Sequence, residues 1–171
     1  MSRPLGFDPI EEAARQWREH WNGDAVAPMA AVTSLMRLQQ IVLVRLNGLL
    51  EPHGLSFARY EALMLLFYSR KGSLPLGKIS DRLQVHRASV TNVIDKLSDA
   101  GYVERVQHDS DRRTVLAQIT PAGRQVARKA TRQLNRAGFG MHPLSDSECD
   151  ELTALATGVR VSAGDFTPGA S

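Results

Sequence analysis

The stretch His108-Asp109-Ser110-Asp111-Arg112-Arg113-Thr114-Val115 crowds two carboxylates and two adjacent guanidinium groups into one polar knot. Residues of this kind can grip a polyanion, with the acids bracing the arginines, or form a surface ion-pair cluster that contributes little energy. On both sides the chain alternates apolar and polar residues, as YVERVQ and TVLAQIT, so the knot falls at the tip of a predicted hairpin. Hairpin geometry asks only for Gly, Asn or Asp at a tip. Paired arginines need another reason. A tip arginine can enter a DNA minor groove, whose narrow A·T-rich segments concentrate negative potential. Asp109 and Asp111 would brace Arg112 and Arg113 and aim them.

A second set of candidates precedes the hairpin. HRASVTNVIDKLSDAG places Val90, Val93, Ile94 and Leu97 on one helical stripe, and Gly101 supplies a stop. Opposite that stripe lie Ala88 and Asn92, flanked by Ser89, Thr91 and Lys96, with His86 and Arg87 at the N-terminal end. A helix entering a major groove needs such a face: small side chains near the bases, hydroxyls and amides for base edges, and cations at the margins. Asp95 and Asp99 lie further along the same side and must sit away from phosphates. The plain alternative is a solvated polar face, and this helix alone does not decide between the two.

The elements that position these residues are legible from caps and periodicity. Asp8-Pro9-Ile10-Glu11 opens a helix carrying Ile10, Ala14, Trp17 and Trp21 on one stripe, halted by Asn22-Gly23. A longer helix is predicted from about Pro28 to Leu50, with Leu35, Leu38, Val42, Leu46, Leu49 and Leu50 apolar. Ser56 caps a third, burying Tyr60, Leu63, Met64 and Phe67. PLGKISDRL starts a short helix at Pro75, with Leu76, Ile79 and Leu83 in phase. Only QVH separates it from the helix of Val90, which is the pattern of a helix-turn-helix. Strands at 102–107 and 114–119 follow, then a helix capped by Thr120-Pro121. Ser145-Asp146-Ser147-Glu148 is a capping box for a last helix through about Val159.

A helix-turn-helix followed directly by a basic two-stranded hairpin is a winged-helix arrangement, and the coincidence favours DNA binding. The expected fold is mainly α with a small β-wing: a winged helix-turn-helix core plus N- and C-terminal dimerisation helices. Composition agrees. The 171 residues are 43% hydrophobic and 23% charged, ordinary values for one globular domain with appended helices. Net charge is +3 and the isoelectric point about 9.3, which permits an anionic partner. Most cations fall in residues 59–136, whereas LSDSECDEL is acidic. Cys149 is the single cysteine, so no intramolecular disulfide forms and a cytoplasmic setting is expected. The start of the chain shows no secretory signal pattern. Arg37, Gln39, Gln40, Arg45 and Arg59 are expected to break the apolar stretches short of membrane-spanning length, so no membrane partner is expected. The histidines are dispersed without ligand spacing, and neither metal nor cofactor is expected. No G-x-S-x-G, Walker loop or H-E-x-x-H occurs, so catalysis is not expected.

The segment KISDRLQVHRASVTNVIDKLSDAGYVERVQHDSDRRTVLAQITPAGR resembles the winged-helix core of the MarR family of bacterial transcription regulators. SVTNVIDKL, AGYVER, the Asp111-Arg112-Arg113 pattern and LAQITPAG carry the resemblance, which extends over roughly 28–160. It implies a homodimer, interlocked through its terminal helices, on a pseudo-palindromic operator in double-stranded DNA. It also implies that Arg113 reaches the minor groove while Asp111 braces the wing, and that a small aromatic or anionic effector releases the DNA. Residues available for an effector are Trp17, Arg37, Gln40, His53, Arg59, Tyr60 and Met64; plain core or surface roles are the alternative for each. The first helix resembles one added in the family's urate-responsive branch, with Trp17, Glu61 and Arg105 as stand-ins for ligand residues. Val93 replaces an expected arginine and Glu61 an aspartate, which argues against urate. The family's redox mode uses a cysteine near the start of the long helix, where this chain has none, and the acids around Cys149 would blunt its thiolate.

The expected organisation is an N-terminal extension at 1–27, a MarR-type domain at 28–160 and a flexible tail at 161–171. Within the domain the winged helix-turn-helix occupies about 56–119, and dimerisation helices occupy 28–50 and 121–160. The expected function is a sequence-specific DNA-binding transcription regulator, a repressor released by ligand. Constitutive architectural DNA binding and a winged helix used for protein–protein contact are the competing readings.

Overall fold

The computed structural model describes residues 4–107 and 114–169. Helix α1, Pro9–His20, starts where Asp8 accepts a hydrogen bond from the Ile10 amide. It packs along α2, Val26–Leu50, with Ala14 buried between them. The Trp17 and Trp21 rings meet at a tilt of 40°, their centres 6.1 Å apart. A 3₁₀ turn, Glu51–His53, leads into α3, Phe57–Tyr68, whose cap is Ser56 as expected.

Strand β1, Ser73–Pro75, was not foreseen. Three residues are too few to show alternation, and Pro75 followed by a helical pattern reads as a helix start. Instead Pro75 ends the strand, and α4 is Leu76–Leu83. The turn into α5, Arg87–Asp99, is made by Gln84 in the left-handed conformation. Buried Ser80 donates to the Val85 carbonyl at 2.6 Å and fixes that turn. Strands β2, Val103–Gln107, and β3, Val115–Ile119, pair antiparallel, and β1 adds to the far edge of β3, giving the order β1-β3-β2.

Helix α6, Pro121–Arg136, begins at a tight junction. The Thr120 hydroxyl donates to the Gly101 carbonyl at 2.8 Å and accepts from the Gly123 amide at 3.0 Å. A Cβ at Gly123 would run into the Tyr102 carbonyl oxygen. The Thr-Pro-Ala-Gly run is therefore a joint: cap, helix start, spacer, and a position that admits no side chain. Helix α7, Asp146–Ser162, opens on the expected capping box of Ser145 and Glu148.

One core joins these pieces. Leu46 and Leu50 of α2, Leu63 and Leu66 of α3, Ile79, Val90, Ile94, Leu97, Val103, Ala117, Ile119 and Leu134 are all buried within it. The terminal helices are different. Helix α7 buries no residue, and Leu155 and Val159 stand 74% and 71% exposed. On α2, Val32, Leu35, Met36, Leu43 and Val44 are exposed. The run Val26–His53 is long and apolar enough, at a mean hydropathy of 1.3, to cross a membrane by length and composition alone. This corrects the expectation that Arg37, Gln39, Gln40 and Arg45 would interrupt it. Arg45 is absorbed by the fold, donating to the carbonyls of Gly140 and His142 at 2.8 and 3.0 Å. In the last turn of α7, Arg160 pairs with Asp165 at 2.6 Å and lies over the Phe166 ring, while Gln84 donates to the Asp165 carbonyl.

Candidate nucleic-acid interface

Helix α5 has two faces, in the phase its sequence predicts. Val90, Ile94 and Leu97 are buried and Val93 half-buried; His86, Arg87, Ala88, Ser89, Thr91, Asn92 and Lys96 are exposed. Sealing the stripe against α3 and α4 fixes the rotation of the helix, so the opposite face must point outward. The Thr91 hydroxyl donates back to the Arg87 carbonyl at 3.1 Å and keeps its acceptor lone pairs free to face solvent. Lys96 lies 3.8 Å from Asp99, a loose pair between two well-exposed side chains. Arg87 extends its guanidinium to Gly77 at the start of α4. With Thr91 it lines a depression whose other walls are Pro75, Leu76, Gly77, Thr114 and Val115. The front of the helix is therefore continuous with the base of the wing.

An ion pair that the residue pattern did not reveal links helix and wing. Arg105 on β2 meets Asp95 on α5 at 2.6 Å, with both side chains partly exposed. The signal was present in the strand: Val103 is buried, and the residue two further on projects from the same face, towards the helices. Asp95 was expected only to keep clear of phosphates. It is instead neutralised by a cation from the wing. The last described rung of the hairpin is Gln107 opposite Val115. Asp109, Asp111, Arg112 and Arg113, to which wing bracing and DNA contact were assigned, lie outside the described residues.

The effector candidates separate into groups. His53, Tyr60 and Met64 converge on α6: the His53 ring is 2.7 Å from Gln133 Oε1, the Tyr60 hydroxyl 2.9 Å from Thr131 Oγ1, and Thr131 donates to the Met64 sulfur at 3.6 Å. Arg59 turns back on Ser56 and lines a shallow depression with Asn47, Gly48, Glu51, Gly54, Leu55 and Ser56. Arg37 and Gln40 bond each other on the surface of α2 at 3.3 Å. Trp17 donates to the Asp24 carbonyl at 2.9 Å. The residues set against a urate-type site are equally dispersed in their partners: Arg105 is held by Asp95, and partial burial raises the Glu61 carboxyl above its ordinary range. Among the described residues no group of three or more His, Cys, Asp or Glu forms a metal-binding cluster.

Comparison with known proteins agrees with this geometry. Residues 55–115, which run from the end of α2's turn to the base of the wing, match the sequence model of the MarR family. The HTH-type transcriptional regulator YhbI of Bacillus subtilis is 30% identical over 128 residues, covering 70% of this chain and 82% of that protein. The transcriptional repressor MprA of Escherichia coli K12 is 28% identical over 151 residues, 87% of this chain and 85% of its own. Sco5413, a MarR family transcriptional regulator from Streptomyces coelicolor, superposes with a TM-score of 0.77 at 46% identity, over 82% of this chain and 98% of its own. The buried stripe of α5, the turn held by Ser80 and the three-stranded wing sheet are thus the parts of a shared architecture, and the chain belongs to the MarR family of transcriptional regulators.

Proposed function

We propose that the chain is a sequence-specific repressor that binds a pseudo-palindromic operator as a homodimer and leaves it when a small aromatic or anionic ligand binds. The observation that carries the DNA reading is the outward face of α5: Ala88, Ser89 and Asn92 present little bulk, with Arg87 and Thr91 joining that face to the wing base. His86, Arg87, Ser89, Thr91, Asn92 and Lys96, with Arg112 and Arg113 of the wing, are the assigned contacts, and Asp109 and Asp111 the braces. The winged fold is also that of Sco3205 of Streptomyces coelicolor, whose structure was determined in complex with DNA. MprA is named as a repressor, which supports that sign of regulation.

Dimerisation accounts for the exposed apolar side chains of α2 and α7, more apolar surface than the winged core covers. It also accounts for the membrane-like composition of α2, as a face for a second copy rather than for lipid. The domain therefore spans 28–160, with 28–50 and 121–160 as its dimerisation helices. Effector release rests on the polar groups between α3 and α6, namely His53, Tyr60, Thr131 and Gln133, and on the depression beside Arg59. A similarly folded protein, CouR of Rhodococcus jostii, was crystallised with p-coumaroyl-CoA, an aromatic anion.

Sedimentation equilibrium and titration against duplexes selected from a randomised pool test the proposal together. A dimer that enriches a two-fold symmetric sequence, and is released from it by aromatic acids or their thioesters, is expected. A stable folded monomer would overturn the dimer, failure to bind duplex would favour protein–protein contact, and binding that no ligand releases would favour constitutive architectural DNA binding.

A further inference from the structure

Outside the recognition face, a line of cations runs over the outer side of the wing sheet and on to α6. Lys71 and Lys78 border one depression with Ser73, Pro75, Val106, Gln107, Leu116 and Gln118. Next to Lys71, Gly72 leaves room for Arg124: a Cβ there would stand 2.5 Å from Arg124 Nη2. Arg124 also reaches the Phe67 carbonyl at 3.5 Å, and Arg124 and Arg128 both hold their guanidinium carbons 5.7 Å from the centre of the Phe67 ring. Arg128 is exposed, so a guanidinium resting on the ring leaves it N–H groups for solvent, whereas Arg124 is half-buried and spends one N–H on the Phe67 carbonyl. Two pairs of cations, Lys71 with Lys78 and Arg124 with Arg128, thus lie on either side of Gly72.

Helix α6 carries Arg124, Arg128, Lys129, Arg132 and Arg136 and no acid. Among the described residues, none of these cations and neither lysine is in an ion pair. The acid of the sheet nearest the line is Glu104, opposite Gln118 in the register. Asp81, one turn from Lys78 on α4, is the other acid close by. Cations outnumber acids along the row and repel one another, which favours a surface that meets an anion.

We propose that this line is a second DNA contact, which takes the backbone phosphates of duplex flanking the operator. It rests on the DNA-binding reading above. Continuity with the wing base favours duplex over an acidic protein: the depression bordered by Lys71 and Lys78 includes Gln107, the last described residue before the wing tip. Its contacts are with phosphates alone, so they add affinity and salt dependence without adding sequence preference.

The test uses two duplexes bearing one selected site: a core of about 20 base pairs, two helical turns, and the same core with about one extra turn on each side. The expected wild-type result is roughly tenfold tighter binding of the long duplex, with a log–log salt slope steeper by about two. The variants Lys71→Gln/Arg128→Gln and Lys71→Gln/Lys78→Gln keep wild-type affinity for the core and lose most of the gain on the long duplex. The second variant leaves the Phe67 stack intact and so separates charge from packing. Equal wild-type affinity for both duplexes overturns the proposal while the DNA-binding reading stands. Retention of the full gain by both variants also overturns it, because the gain then comes from elsewhere on the protein. Failure of the wild type to select any site overturns both.

Discussion

The Arg105 guanidinium on β2 lies 2.6 Å from the Asp95 carboxylate on α5, so the wing and the recognition helix are tied by one charge-assisted hydrogen bond. The pair is partly exposed and stabilises the fold little. Its consequence is positional and electrostatic: it sets the wing against the helix, and it compensates the charge of an acid on the helix proposed to meet DNA.

Arg105→Ala is accordingly expected to change melting temperature only slightly, with a stability loss under about 1 kcal/mol. Operator affinity falls by more than that, because the Asp95 carboxylate is left without its compensating cation beside DNA. Asp95→Asn in the same chain restores much of the affinity, since it removes the freed charge. Equal losses in stability and affinity for Arg105→Ala, with no rescue by the second substitution, would show that the pair is only structural.

Gly123→Ala tests the joint between wing and α6. The new Cβ meets the Tyr102 carbonyl oxygen and the Ile119 side chain, and a backbone carbonyl in a hydrogen-bonded junction has little room to yield. A loss of about 3 kcal/mol is expected, at the upper end for overpacking. For a chain of this size that lowers the melting temperature by roughly 6–12 °C. An unchanged melting temperature would mean that the junction can open without cost.

How far the sequence foretold these features depends on their range. Caps were read correctly because each is a local bargain: Asp8, Ser56, Thr120 and Ser145 all accept the amide hydrogen bonds their types favour. The phase of α5 was legible because Val90, Ile94 and Leu97 repeat within one helix. By contrast β1 exists only because β3 pairs with it, and three residues carry no period of their own. The Arg105–Asp95 pair joins consecutive elements and depends on how the turn at Gly101 folds β2 back beside α5. The row from Lys78 to Arg128 joins residues farther apart in sequence, which the packing of α3 against α6 and β3 brings together. Arg112 and Arg113 remain readable from the sequence alone.

Acid should loosen the start of α7. Glu148 accepts from the Ser145 amide at 2.8 Å and from its hydroxyl at 2.7 Å, and these bonds hold its carboxyl below the ordinary value of 4.5. A lowered folded value means that the carboxylate's contribution is complete above about 4.5 and fades as pH falls through the lower folded value. Far-UV circular dichroism, followed downward from pH 5, should show a transition in wild type that Glu148→Gln lacks. The variant already has the looser cap at neutral pH. Identical acid profiles for the two proteins would rule out this cap as the titrating element.

Arg113→Ala removes the proposed minor-groove contact of the wing. The expected cost is roughly 1–3 kcal/mol in operator affinity, with unchanged thermal stability. Arg112→Ala should cost less, because the family resemblance assigns the groove to Arg113. Unaltered affinity of Arg113→Ala in a mobility-shift titration at fixed salt would remove the wing from the interface.

Four substitutions on α5 separate its faces. Asn92 is exposed opposite the buried stripe, so its amide is free to pair with a base edge, and Asn92→Ala should relax base preference at one position of each half-site. Lys96 sits beside Asp99 at 3.8 Å, a pair loose enough to open for a phosphate. Lys96→Ala should weaken binding to all sequences and flatten the salt dependence by about one unit. Asp99→Asn should do the reverse, strengthening binding at low salt by releasing the lysine and removing a repulsive charge. Ile94 is fully buried, so Ile94→Ala should destabilise the fold by about 2–4 kcal/mol and affect DNA only through unfolding. Melting curves and operator titrations on all four variants decide the matter. If Asn92→Ala unfolds the protein while Ile94→Ala merely alters sequence preference, α5 presents the opposite face to DNA.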